Sequence, residues 1–177
     1  MSSSLYKVSS PLREPQWLGF SSCGRQYACD LLWVKEVLRC PSVTPVNLAA
    51  NYVRGVVHLR GQILTALDLE ARLGHECTDS RPTGRCIVFK TTNDLVRLPH
   101  PPADFELADS DPIGLLVDAI GDILPPGTIV LPAPPETLSG LDTRFIAGVI
   151  SSADHLTTVL QIGNFVSMSE PRKSHAV

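Results

Sequence analysis

The stretch Tyr52-Val53-Arg54-Gly55-Val56-Val57 returns later in the chain as Phe145-Ile146-Ala147-Gly148-Val149-Ile150, at an offset of 93. The same offset pairs Ile63 with Leu156, Thr65 with Thr158, Leu67 with Leu160 and Leu69 with Ile162. Agreement at alternate positions is the mark of strands that bury one face. Upstream, Leu31 to Leu38 aligns with Val117 to Leu124 at an offset of 86, so that Val34 meets Ile120, Glu36 meets Asp122 and Val37 meets Ile123. Proline-bearing stretches follow both copies, at 41–45 and 125–135. The two signals keep the same order in each half, which argues against chance.

The repeat predicts an all-β protein of two similar units, each of about five strands. Corners are expected at the Gly-Gln, Gly-Asp and Asp-His pairs. A unit of roughly 70 residues has a thin core, so the two should share a buried apolar face. A single β-sandwich with accidental internal likeness is the alternative.

Composition fits this picture. The 177 residues are 44% hydrophobic and 19% charged, enough for a packed interior. Fifteen prolines and twelve glycines cut the chain into short pieces rich in Val, Ile, Leu and Thr, which favours strands. The formal net charge of -3 offers no clustered cations for a phosphate backbone or an anionic membrane. No apolar run reaches the roughly 18 residues of a membrane span. The N-terminus lacks a signal-peptide pattern, so a cytoplasmic protein is expected, with its five cysteines as reduced thiols. Cys29, Cys40 and Cys86 lie in apolar company and read as core fillers. Residues 1–16, rich in serine, read as a flexible arm, 17–166 as the folded domain, and 167–177 as a polar tail.

The two halves differ at one informative place. After the Gly-Val-Val strand the first half reads His58-Leu59-Arg60-Gly61, and its counterpart is Ser151-Ser152-Ala153-Asp154. A residue serving architecture alone should suit both copies, yet the cation stands in one. Arg60 is therefore a candidate contact residue, because a planar guanidinium on a rigid turn can pin a carboxylate or a carbonyl. The plain alternative is a solvated arginine.

These same residues carry a family likeness. Residues 52–64 followed by Leu67-Asp68-Leu69 resemble the CheW chemotaxis coupling family, whose pattern is Gly-Val-x-Asn-Leu-Arg-Gly, an apolar strand and Asp-Leu. Further blocks match in order: 27–30, 34–37, 114–118, Leu131-Pro132-Ala133-Pro134 and 145–149. The resemblance implies two five-stranded, SH3-like β-barrels packed together and a non-enzymatic adaptor without cofactor. Such a protein couples the cytoplasmic hairpin tip of a chemoreceptor to the regulatory domain of a CheA-type histidine kinase, recruited to membrane receptor arrays without inserting in the membrane. Arg60 matches the family's receptor-facing arginine and Val34 another receptor-side position. Glu36 and His58 lie beside them. The kinase would meet an apolar barrel end, to which no residues are assigned.

Three departures from the pattern stand out. His58 replaces the usual Asn, which should alter the hydrogen bonding of the turn and adds a titratable group. An insertion, Lys90 to Pro112, carries three prolines between 99 and 102 and the acids Asp94, Asp104, Glu106, Asp109 and Asp111. It is expected to be a mobile loop, with a partner-specific contact as the sharper alternative; packing of Leu95, Leu98 and Phe105 on the barrels would make it structural or a cover over a surface that relatives leave open. The C-terminal helix looks abbreviated.

Other chemistries find little support. No Cys-x-x-Cys or His-x-x-x-His pair is present, and His75-Glu76-Cys77 reads as an ordinary polar turn. Ser151, Ser152, Asp154 and His155 are close in sequence, but catalytic triads are assembled by geometry from distant segments. No Gly-x-Ser-x-Gly elbow or Gly-rich phosphate loop occurs. Asp118 and Asp122 align with Leu32 and Glu36 of the other half, so a strand explains them. Aromatics at 6% are too sparse for an oligonucleotide groove. The competing function is a β-barrel sensor holding an apolar small molecule in the seam between the units.

Overall fold

The computed structural model describes residues 13–39, 41–75, 84–136 and 138–168. The chain order is β1 (Trp17–Ser22), β2 (Arg25–Asp30), β3 (Val34–Arg39), β4 (Val53–Leu59), β5 (Gln62–Asp68), α1 (Leu69–Leu73), β6 (Arg85–Phe89), α2 (Thr92–Leu95), β7 (Ile113–Val117), β8 (Ala119–Leu124), β9 (Ile146–Ser151), β10 (Leu156–Leu160) and α3 (Ile162–Val166). Two five-stranded sheets result: a central one ordered β3-β6-β7-β5-β4 and a terminal one ordered β8-β1-β2-β10-β9.

The predicted repeat maps onto these sheets strand for strand. β3, β4, β5 and α1 of the central sheet answer to β8, β9, β10 and α3 of the terminal one. Each sheet contains one parallel pairing at the same place, β5 with β7 and β10 with β2. The chain order differs, because the hairpin β1–β2 enters the terminal sheet from the far N-terminal side. The terminal unit is thus built from both ends of the folded region, while the central unit is continuous.

Neither sheet closes into a barrel by a continuous ladder. Each curls, and an isolated bridge stands where the closing ladder would run: Thr44 with Val56, and Leu131 with Val149. Both backbone bonds of the first bridge, and both of the second, measure 2.8 Å. The repeated glycines make this approach possible. A Cβ on Gly55 would overlap the carbonyl of Thr44, and one on Gly148 the carbonyl of Leu131. The Gly-Gln and Asp-His corners fall at the β4–β5 and β9–β10 turns as expected. Gly121-Asp122 does not: it lies inside β8, where the register with β1 slips.

Three apolar clusters fill the molecule. One lies in the curl of the central sheet around Leu64, Cys86 and Leu116, and one in the curl of the terminal sheet around Trp17, Ile150 and Val159. The largest spans the seam, where Phe20, Tyr27 and Cys29 of the terminal sheet meet Ile87, Phe89 and Leu115 of the central sheet. This is the shared face that two thin units need. Arg72 of α1 ties the units together again. Its guanidinium lies 4.1 Å from the ring centre of Tyr52 and 5.0 Å from that of Phe145, and donates to the carbonyls of Phe165 and Ser167 at 3.2 and 2.7 Å.

The insertion corrects an expectation. Its Leu95 is fully buried, and Leu98 and Phe105 pack against the seam cluster, so it is a packed cover and not a mobile loop. Apolar side chains spaced along it gain more from burial than the segment loses in chain entropy. Asp104 fastens it to α3, accepting from Gln161 Nε2 at 2.6 Å and from the backbone N–H of Gly163 at 3.1 Å. The corresponding helix α1 is capped by its own Asp68, which accepts from Ala71 N at 3.1 Å. Gln161 occupies the equivalent position before α3, and the insertion supplies the carboxylate that the local sequence lacks.

The cysteines also depart in part from expectation. Cys29 and Cys86 are buried in the apolar clusters, as core fillers would be. Cys23 is disulfide-bonded, contrary to a uniformly reduced set. Cys40 and Cys77 lie outside the described residues, as do most of the predicted N-terminal arm and C-terminal tail. Of the arm, Arg13 is described, and its guanidinium pairs with the Asp30 carboxylate.

Candidate functional site

The hairpin β4–β5 is held in register by His58 opposite Ile63 and Leu59 opposite Gln62, which leaves Arg60 and Gly61 as a two-residue turn. Both have positive φ, 49° and 81°, the pattern of a type I′ turn that matches strand twist. Gly61 adopts it freely. Arg60 does so against the clash between its Cβ and its own carbonyl. The result is a long cation projecting from the tip of a stiff hairpin, with its side chain 78% exposed.

Arg60 meets Glu36, Nη2 to Oε2, at 3.3 Å. Glu36 belongs to β3, at the opposite edge of the central sheet, so the pair spans the gap that the curl leaves. Two residues earlier on β3, Val34 is half-buried, faces Phe89 across the ladder and packs on the seam cluster. The structure therefore brings Arg60 and Glu36 into contact and places Val34 on the same edge, where the sheet meets the seam. His58 differs from expectation. It lies within strand β4, exposed and opposite Ile63, and the turn beyond it is closed by the Leu59–Gln62 pair.

Between Val34 and Glu36 the β3–β6 register slips by one residue, leaving Lys35 without a ladder partner. Two residues at the base of the insertion surround this bulge, and neither was singled out from the sequence. Lys90 Nζ donates to the carbonyls of Leu32 at 2.7 Å and Val34 at 2.9 Å, and burial lowers its pKa. Lys35 Nζ donates to Asp94 Oδ2 at 3.0 Å. Burial pushes the Asp94 carboxyl up, but its hydrogen bonds from Thr91 and Lys35 outweigh that and hold it below the ordinary range. One signal was available: at the repeat offset, Lys35 stands against Gly121.

The seam holds a buried carboxylate. Glu70 of α1 is 1% exposed and accepts from Tyr27 Oη at 3.0 Å and from Arg25 Nη1 at 3.2 Å, both on β2 of the other sheet. Burial raises its pKa, against the opposing pull of the Tyr27 hydroxyl and the Arg25 guanidinium. Around it the seam is filled by Phe20, Tyr27, Trp33, Phe89, Leu115 and Phe165. Among the described residues no group of three or more His, Cys, Asp or Glu side chains is placed to hold a metal ion, and no helix is long and apolar enough to cross a membrane. At the outer surface, each sheet exposes equivalent apolar side chains: Val37 and Ile63 on the central one, Ile123 and Leu156 on the terminal one.

These features define an internally repeated β protein of two curled sheets, with one edge rebuilt by an insertion and marked by an unmatched arginine. Residues 16–170 match the family model of the CheW-like domain, and the chain belongs to that family. It is 26% identical over 157 residues to the chemotaxis protein CheW of Rhizobium meliloti, covering 89% of this chain and 90% of that protein. It is also 26% identical over 153 residues to the probable chemotaxis protein CheW of Rhizobium etli, covering 86% and 88%. Among solved structures it is similar to the scaffolding protein TtCheW of Thermoanaerobacter tengcongensis. That match has a TM-score of 0.64 and 23% identity, covering 84% of this chain and 90% of the other.

Proposed function

We propose that the protein is a non-enzymatic chemotaxis adaptor that couples the cytoplasmic hairpin tip of a chemoreceptor to the regulatory domain of a CheA-type histidine kinase. Family membership and relatives named as chemotaxis and scaffolding proteins support the adaptor role. The observation that carries the receptor side is the Arg60 turn. A guanidinium is held at a costly backbone angle, over Glu36, in one copy of the repeat and not in the other.

On this reading Arg60, Glu36 and Val34 form the receptor-facing edge, with His58 beside them. The Arg60–Glu36 pair is exposed enough to exchange partners at little cost, since such pairs contribute on the order of 0–1 kcal/mol. A receptor carboxylate or carbonyl could then take the guanidinium while the half-buried Val34 meets an apolar stripe of the hairpin. The kinase would dock on an apolar end of one unit. A protein doing this works at the cytoplasmic face of the membrane, in receptor arrays.

The test is direct. The full chain is mixed with the kinase regulatory domain, and separately with a soluble receptor hairpin fragment, and each mixture is passed over a sizing column. Both complexes are expected, and Arg60→Glu should lose the receptor complex alone. Failure of the wild-type chain to bind either partner would overturn the proposal. A small-molecule sensor is disfavoured by the seam, whose centre is taken up by aromatic and aliphatic side chains.

A further inference from the structure

We propose that Lys90 and Asp94, at the base of the insertion, act as a strap that fixes the bulge at Lys35 and so aims Val34 and Glu36. They are positioning residues for receptor docking, and the inference rests on the reading of this edge as the receptor side.

The bulge is where β3 changes allegiance. Before it, Val34 packs on the seam cluster; after it, Leu38 packs in the curl of the central sheet. A regular strand sends residues 34, 36 and 38 to one face, so serving two clusters needs the extra residue. The terminal sheet solves the same problem at the same place. There β8 slips against β1 around Gly121, and Leu124, like Leu38, turns into its own curl. A Cβ on Gly121 would lie 3.3 Å from the carbonyl of Gly19, a close approach that glycine permits without further support. The central sheet has a lysine at this position and holds the bulge from both sides.

On one side Lys90 closes three bonds. Its backbone N–H donates to Trp33 O at 2.8 Å, and its ammonium takes the carbonyls of Leu32 and Val34. On the other, Lys35 reaches Asp94, whose Oδ2 also accepts from the Thr91 N–H at 3.0 Å and the Thr91 hydroxyl at 3.1 Å, in the capping box of α2. The helix is anchored in turn by Leu95 in the seam. The other charged groups that act on the Lys90 ammonium are Asp94, Asp30, Arg13 and Lys35. Apart from the Thr91 bonds inside the insertion, the strap's bonds end on residues 32–35, the segment that leads through Val34 to Glu36, and none of these bonds ends on the terminal sheet's β8–β10. A partner that binds there should not sense its loss.

The test is Lys90→Met, which keeps the apolar stem and removes the donors. Receptor-fragment affinity should fall about tenfold, as when the competent edge is populated one-tenth of the time. Amide hydrogen exchange at Val34–Leu38 should rise by a similar factor of about ten, because local opening becomes easier. Unchanged exchange in β3 overturns the strap whether or not a receptor binds. Unchanged receptor affinity alongside faster exchange overturns its role in docking. Should Lys90→Met fail to fold, Lys35→Met removes only the outer tie; a folded Lys35→Met chain with wild-type exchange at these amides also counts against the proposal. If the wild-type chain ignores the receptor fragment, the reading of the edge falls and takes the docking role with it, while the exchange data still judge the strap.

Discussion

Arg60 Nη2 lies 3.3 Å from Glu36 Oε2, joining a hairpin tip to the strand at the far edge of the same curled sheet. The contact is weak in energy and informative in geometry. A positive φ of 49° works against a Cβ, so Arg60→Gly should leave stability unchanged or raise it by up to about 1 kcal/mol. The same variant should lose receptor affinity. Urea unfolding and receptor-fragment titration on one sample would check both. A clear loss of stability would show that the ion pair contributes more than the strained backbone costs.

Gly55 and Gly148 occupy equivalent positions, and each lets the carbonyl of a neighbouring connecting segment, Thr44 or Leu131, approach to bridge range. Replacing either by alanine forces that carbonyl away. A loss of about 3 kcal/mol or more is expected for each, within the range of severe backbone and packing lesions. Similar losses at both sites, measured by denaturant unfolding, would show that the repeat is mechanical as well as formal.

Glu70 sets a pH dependence. Its folded pKa is raised above the ordinary 4.5, chiefly by burial, so the folded state binds its proton more tightly than the unfolded chain. The stability this adds is complete below 4.5 and is lost as pH rises through the folded value. Glu70→Gln removes that titration while keeping an acceptor for Tyr27. Its stability relative to the wild type should therefore increase as pH rises from 4.5 through the raised folded value, read from unfolding midpoints across a pH series. Glu70→Ala should cost about 3 kcal/mol near neutrality, because it leaves the buried Tyr27 hydroxyl unpaired and opens space in the seam.

Asp104 and Gly163 should be coupled. A Cβ on Gly163 would occupy the place of the Asp104 carboxylate. Asp104→Ala is expected to cost about 1–2 kcal/mol through loss of the bonds to Gln161 and Gly163. Gly163→Ala should cost at least as much by expelling the same group. The double variant should cost clearly less than the sum, and strict additivity in the cycle would show that the two do not share a site.

The repeat, the strand content and the asymmetry at Arg60 were legible because each is written in local pattern. Period-two burial appears within six residues, and a glycine at a close approach has no substitute. Other features were hidden for a physical reason. Lys35 sits at a bulge only because β3 must serve two clusters, and Lys90 becomes its support only once β6 lies beside it. His58 looked like a turn residue because the sequence does not say where a strand ends and a two-residue turn begins. The insertion looked mobile because its prolines and acids are plain, whereas Leu95, Leu98 and Phe105 count only when a seam exists to receive them.

By itself the sequence determined an all-β chain of two related units with a shared face and one odd arginine, since periodicity and glycine placement are properties of each segment alone. The tertiary structure decided which hairpin completes which sheet. The pairing of β2 with β10 joins residues near opposite ends of the folded region, and many strands of similar pattern could compete for that edge. Only the combined burial of three clusters selects among them, and with that choice come the seam, the Glu70 contact between units, and the strapped edge on which Arg60 meets Glu36.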